Sequence, residues 1–151
     1  MSVKKIFVLF VALLMQASSS VLAADLPVTS AFGWRVHPIY GTWKFHAGVD
    51  LGYEYGSAVP ALWEGQVVQC GNFGDGYGNQ VMLYHAELDS YTRYAHLAAI
   101  YVSGGDFVSQ GQAIGTVGAT GNVTGPHLHL EYIARGADGN YQYMNPLDLW
   151  N

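Results

Sequence analysis

Apolar and polar residues alternate with a period of two through much of this chain. In His127-Leu128-His129-Leu130-Glu131 the leucines fall on one face of an extended backbone and the three polar residues on the other. The stretch His46-Ala47-Gly48-Val49-Asp50-Leu51 repeats the pattern, setting His46, Gly48 and Asp50 against Ala47, Val49 and Leu51. Further β-type runs cover Gln66–Cys70, Gln80–His85, Ser90–His96, Ala113–Val117 and His127–Ala134, bounded by turn-forming pairs such as Glu64-Gly65, Gly78-Asn79, Gln110-Gly111 and Gly121-Asn122. Short runs broken at about the 8–12-residue spacing of sandwiches and barrels predict an all-β fold. With 19 Gly among 151 residues, an antiparallel sheet or sandwich with little helix is favoured. Only Leu97–Tyr101 and Asn145–Trp150 read as isolated helical turns. No linker, charge run or low-complexity tract breaks the stretch from Asp25 to Asn151, so one domain is expected over residues 25–151.

The start of the chain follows a different pattern. Lys4 and Lys5 precede an apolar run from Ile6 to Met15, then a small polar stretch from Gln16 to Ser20 and small residues at Ala23 and Ala24. This predicts a secretory signal peptide over residues 1–24. The apolar run is about half of the roughly 20 residues needed to cross a bilayer, so no stable membrane span is expected after cleavage. Export to the periplasm or the cell exterior follows.

Charge then removes several partners. Beyond the leader, 4 Lys and Arg stand against 11 Asp and Glu, a formal charge of −7 with His neutral. No basic patch is present to neutralise phosphates, which argues against nucleic acid. One cysteine, Cys70, cannot form an internal disulfide. Its place in a strand-like run marks it as a buried strand thiol rather than a nucleophile.

The polar faces of the two alternating stretches carry the candidate chemistry. Imidazole and carboxylate suit zinc, and catalytic zinc sites use three protein ligands with a fourth position left for water. Two His and one Asp supply such a set, with Gly48 expected to leave room for an atom between His46 and Asp50. Two further His are then free to move protons. Each half alone also fits a solvated sheet face. The two together make a metal site the stronger reading.

These residues lie in a series of stretches that resembles the lysostaphin-type family of peptidoglycan endopeptidases. The series comprises Ser30–Ile39, His46-Ala47-Gly48-Val49-Asp50-Leu51, Tyr94-Ala95-His96-Leu97, Val108–Gly115 and Gly121–Glu131, in family order across nearly the whole segment after the leader. The resemblance implies an antiparallel β-sheet fold with a substrate groove, one Zn2+ per chain, and hydrolysis of peptide cross-links or stem peptides of bacterial peptidoglycan. It assigns His46, Asp50 and His129 as zinc ligands and His127 and His96 as catalytic histidines. His127 is expected as general base, and His96 as the group that steadies the oxyanion or protonates the leaving amine. Glu131 is a candidate for orienting a ligand His, or else a solvated strand residue. Arg35, in the family's Gly-x-Arg pattern, is a candidate for a substrate carboxylate or for a loop ion pair. Tyr40, in the loop before His46, is a candidate oxyanion donor, although Tyr usually packs. His85 reads as a strand-end residue and His37 as a loop residue.

Two rival readings differ in class. The hairpin-like segment Glu64–Gly118 resembles biotinyl and lipoyl carriers, but the only Lys after the leader, Lys44, lies outside it. A non-catalytic peptidoglycan-binding or activator module of the same fold is the more serious alternative. Its mark is loss of ligands or catalytic His, and all five are present here.

Overall fold

The computed structural model describes residues 26–37 and 39–150; the leader expected over 1–24 lies outside them. Twelve strands account for half of the described chain: β1 (Val28–Ser30), β2 (Gly33–Val36), β3 (Trp43–His46), β4 (Val49–Leu51), β5 (Ala58–Pro60), β6 (Gly65–Asn72), β7 (Asn79–His85), β8 (Ser90–Ile100), β9 (Phe107–Val108), β10 (Ala113–Val117), β11 (Leu128–Arg135) and β12 (Tyr141–Met144). Ten form one antiparallel sheet whose main path runs β1-β4-β11-β8-β7-β6-β9, with β12 added to β11 and β10 joining β8 to β5. Strands β2 and β3 form a separate two-stranded ribbon. The all-β antiparallel expectation therefore holds.

The apolar side of the alternation builds the core. Val49 and Leu51 of β4, Val81 and Leu83 of β7, Tyr94 and Leu97 of β8, and Leu128 and Leu130 of β11 are all buried in one cluster. Each such aliphatic side chain contributes on the order of 1.5–3 kcal/mol on leaving water. This anchoring leaves the opposite face of β4, β11 and β8 to hold the polar residues in fixed register. Across that face Asp50 lies directly opposite His129, and His129 opposite Ala95.

Three expectations are corrected. The stretch from His46 to Asp50 is not one strand: His46 ends β3 in the ribbon, and Asp50 lies in β4 of the main sheet. The chain passes between them at Ala47-Gly48, where it crosses tightly over β11. A Cβ on Gly48 would lie 2.3 Å from the Leu130 carbonyl oxygen. The space that glycine leaves is thus filled by the β11 backbone, not by a ligand.

Leu97–Tyr101 is likewise no helical turn. Leu97–Ile100 continue β8 and pair with β10, with Leu97 opposite Val117 and Ile100 opposite Gly115. A five-residue segment cannot offset the cost of helix nucleation when a pairing edge is at hand. Pro146–Trp150 does form a short 3-10 turn, and Ala86–Leu88 adds another that the pattern did not suggest. Cys70 lies in β6 as expected, but it is half-buried, with its thiol 3.8 Å from the Val102 carbonyl.

Candidate metal centre

Three elements deliver one ligand atom each to a single point. His46 arrives from the end of the ribbon, Asp50 from β4 and His129 from β11. His46 Nε2 and His129 Nδ1 are 3.1 Å apart, His129 Nδ1 and Asp50 Oδ1 2.8 Å, and His46 Nε2 and Asp50 Oδ1 3.2 Å. Ligands held tetrahedrally at zinc bond lengths are about 3.3 Å apart, so this triangle is close to the size zinc requires. Among the described residues these three form the cluster able to hold a metal ion.

The hydrogen-bond partners behind the triangle fix where the protons are. A carbonyl oxygen only accepts, so the 2.8 Å contact of His46 Nδ1 with the Ala31 carbonyl puts a proton on Nδ1 and leaves the Nε2 lone pair facing inward. His129 Nε2 donates to Glu131 Oε1 at 3.1 Å, which directs its Nδ1 lone pair at the same point. Burial alone would raise the Asp50 carboxyl. Hydrogen bonds and charge from His129 and His46 outweigh that and hold it below the ordinary carboxylate range. His129 is pushed down by burial, but its contacts with Asp50 and Glu131 outweigh this and raise it. Two inward lone pairs and a carboxylate oxygen call for a cation at their centre, either an extra proton or a metal. The donor set fits zinc.

Glu131 is completely buried and its charge is fully engaged. Besides His129, it accepts from Tyr77 Oη at 2.6 Å and from Arg93 at 2.9 Å, and the Arg93 guanidinium lies 4.6 Å from the Tyr77 ring centre. Glu131 is therefore not a solvated strand residue, and its partner His129 is one of the three candidate ligands. Tyr77 and Arg93 were not identified from sequence. Arg93 lies directly opposite Glu131 across β8 and β11, a charge pair visible only once the register is known. Tyr77 comes from a glycine-rich loop that carries no periodic signal.

His96 and His127 flank the triangle, their ring centres 4.9 Å apart. His127 Nδ1 is 3.0 Å from the Gly125 carbonyl and His96 Nδ1 is 2.8 Å from the Thr120 carbonyl. Both must donate there, which leaves Nε2 as the ring nitrogen free to act at the site in each. His127 Nε2 lies 3.6 Å from Asp50 Oδ1. Burial, opposed by the Thr120 contact and reinforced by the neighbouring His129 and His127, lowers His96 to about 4. At neutral pH it is an uncharged base.

His96 also has a left-handed backbone, with φ of 61°. Ala95 and His96 together oppose Gln80, between the Tyr94–Val81 and Leu97–Asn79 pairs, so β8 is bulged there. The bulge comes where β8 exchanges β11 for β10 as neighbour. For a non-glycine residue this conformation costs on the order of 1–3 kcal/mol, and such strain concentrates at functional sites.

The remaining candidates lie apart from this network. Tyr40 is exposed and stacks on His37, whose Nδ1 accepts from the Tyr40 and Ile39 amides; among the described residues no hydrogen bond joins Tyr40 to the triangle. Arg35 sits in β2 and has no ion pair among the described residues. His85 is buried beneath Trp63 between the Glu64 carbonyl and the Thr92 hydroxyl, a structural position.

Residues 44–146, which include all five residues of the triangle and its flanking pair, match the model of peptidase family M23. The chain belongs to peptidase family M23. Among relatives in this family, DD-carboxypeptidase/endopeptidase Mpg of Neisseria meningitidis is 43% identical over 122 residues, covering 81% of this chain and 26% of that protein. Lysostaphin of Staphylococcus staphylolyticus is 36% identical over 100 residues, covering 66% of this chain and 21% of that protein. The chain thus spans about a quarter of the length of the curated relatives it matches. The catalytic domain of lysostaphin from Staphylococcus simulans superposes with a TM-score of 0.73 at 30% identity, covering 85% of this chain and 94% of that one. A zinc-containing peptidase from Vibrio cholerae superposes at 0.64 and 38% identity, covering 70% and 32%. The M23 fold is thus common to this chain and those catalytic domains.

Proposed function

We propose that this chain is an exported zinc endopeptidase that hydrolyses peptide cross-links or stem peptides of bacterial peptidoglycan. The convergence of His46 Nε2, Asp50 Oδ1 and His129 Nδ1, with both histidines oriented by a partner behind them and with His96 and His127 alongside, carries this reading. The printed names of relatives add the substrate class: Mpg is a DD-carboxypeptidase/endopeptidase, and a Vibrio cholerae relative is a peptidoglycan DD-endopeptidase. Export rests on the leader pattern in residues 1–24. No helix among the described residues is long and apolar enough to cross a membrane.

His46, Asp50 and His129 would hold the zinc, and zinc bound there would supply Lewis acidity toward water and a carbonyl. His127 accepts the proton of the attacking water at Nε2, and the resulting imidazolium is steadied by Gly125 through Nδ1–H and by nearby Asp50. It then returns the proton to the leaving amine. His96, uncharged at rest, is first an acceptor at Nε2. The second proton of the attacking water, taken up at that Nε2, gives His96 the N–H with which it steadies the oxyanion or protonates the leaving amine, so that hydrolysis ends in a carboxylate and an ammonium. Glu131, Arg93 and Tyr77 keep His129 in the tautomer and orientation that face the ion.

Mass spectrometry of fragments released from purified peptidoglycan by the mature protein tests the proposal. Fragments with intact glycan strands and newly exposed amino groups are expected. Cut glycan, or no release from walls of several peptide chemistries, contradicts it. A non-catalytic module of the same fold gives the second result with zinc still bound.

A further inference from the structure

The four cations beyond the leader divide into two kinds. Arg93 is neutralised by Glu131 and Arg135 by Asp89. Among the described residues Arg35 and Lys44 have no ion pair, and the buried Arg35 Nε lacks a hydrogen-bond partner there. Yet they stand directly opposite each other in the β2–β3 ribbon. Like charges placed opposite each other across an antiparallel pair destabilise it. Among the described residues no acid is paired with either of them.

The ribbon register gives the arrangement a direction. Trp34 pairs with Phe45 and Val36 with Trp43, so these four apolar residues share one face. Gly33, His46, Arg35 and Lys44 share the other. His46 is the ribbon's contribution to the metal triangle, so both free cations lie on the face that carries a ligand. Lys44 is two residues along the strand from His46, a backbone distance of about 7 Å. A long cationic side chain anchored there reaches a group attached one residue away from a carbonyl at the metal centre.

We infer that Arg35 and Lys44 form a subsite for a free carboxylate on the substrate residue that flanks the scissile amide. The inference rests on the proposed hydrolase reading and deepens it. The subsite selects an anionic peptide over a neutral one, with the planar Arg35 fork available for two parallel contacts and Lys44 adding charge at the exposed rim. A substrate carboxylate between the two side chains also relieves the repulsion between the two cations.

The test uses a cross-linked peptide fragment purified from peptidoglycan and the same fragment with its carboxylates converted to amides. Zinc-loaded wild type is expected to favour the acid form roughly tenfold or more in kcat/KM, mainly through KM. The Arg35→Gln/Lys44→Gln variant is expected to lose that preference while keeping wild-type zinc content, and Lys44→Arg to restore part of it to Lys44→Gln. Equal use of acid and amide by wild type overturns the inference. So does a double variant that discriminates as well as wild type. Should the double variant fail to fold, Lys44→Gln alone, at an exposed position, must show a reduced preference. Calorimetric binding of both fragments to His127→Ala reads the subsite without turnover. Preferential binding of the acid form in a protein that cleaves neither fragment separates failure of the hydrolase reading from failure of this one.

Discussion

His129 and Glu131 lie two residues apart on one face of β11, and the imidazole Nε2 donates to the buried carboxylate at 3.1 Å. This contact decides which nitrogen of His129 faces the metal point. Glu131→Gln keeps the shape but loses the charge, and is expected to weaken zinc retention about 10–100-fold, measured by chelator competition. Tyr77→Phe removes one donor to the same carboxylate without touching its charge and should weaken retention less. Equal retention by Glu131→Gln and wild type contradicts this role.

The flanking histidines and the ligands should separate cleanly by variant. His127→Ala and His96→Ala are each expected to lower turnover about 10²–10⁴-fold while zinc stays bound. His46→Ala and His129→Ala should lose both. Loss of zinc from His127→Ala makes His127 a ligand and reverses the assignment.

Gly48 is fixed by the backbone it crosses. A methyl group there meets the Leu130 carbonyl oxygen, so Gly48→Ala must push β4 and the ribbon away from β11. A loss of about 1–3 kcal/mol is expected from such overpacking, together with weaker zinc binding, since His46 and Asp50 flank the crossing. Thermal unfolding and metal analysis read the two effects. Wild-type values for both contradict the account.

His85 offers a pH dependence remote from the metal. Burial, only partly opposed by its contact with Glu64, lowers its folded-state value. Between the ordinary His value of about 6.5 and that lower one, the unfolded chain binds the proton and the folded chain does not. Its stability contribution is therefore complete above about pH 6.5 and declines as pH falls. The slope of Tm against pH between 7 and 5 should be shallower in His85→Gln than in wild type. Parallel slopes contradict the prediction.

The legible part of this molecule is the part written in period two. Alternation in Leu128–Arg135 placed Leu128 and Leu130 in the core and His129 and Glu131 on the functional face, as found. The same alternation misled at His46–Asp50, because a chain that leaves one sheet and enters another after two residues keeps its period. Only the close approach of Gly48 to β11 reveals the break. Strands β1, β5 and β9 are too short to carry a period, and β4, at three residues, was legible only within the longer alternation from His46 to Leu51. The site's support was hidden for a related reason. Glu131 meets Arg93 through register and Tyr77 through a loop, and neither partner is near it in sequence. The left-handed His96 arises where β8 changes neighbours, which is a property of the assembled sheet.

The most direct test of the central claim is titration of metal-free protein with zinc while hydrolysis of purified peptidoglycan is followed. Activity should be absent at the start, rise in proportion to added zinc and level off at one ion per chain. Hydrolysis by the metal-free protein, or none at one ion per chain, would contradict a zinc peptidase built on His46, Asp50 and His129.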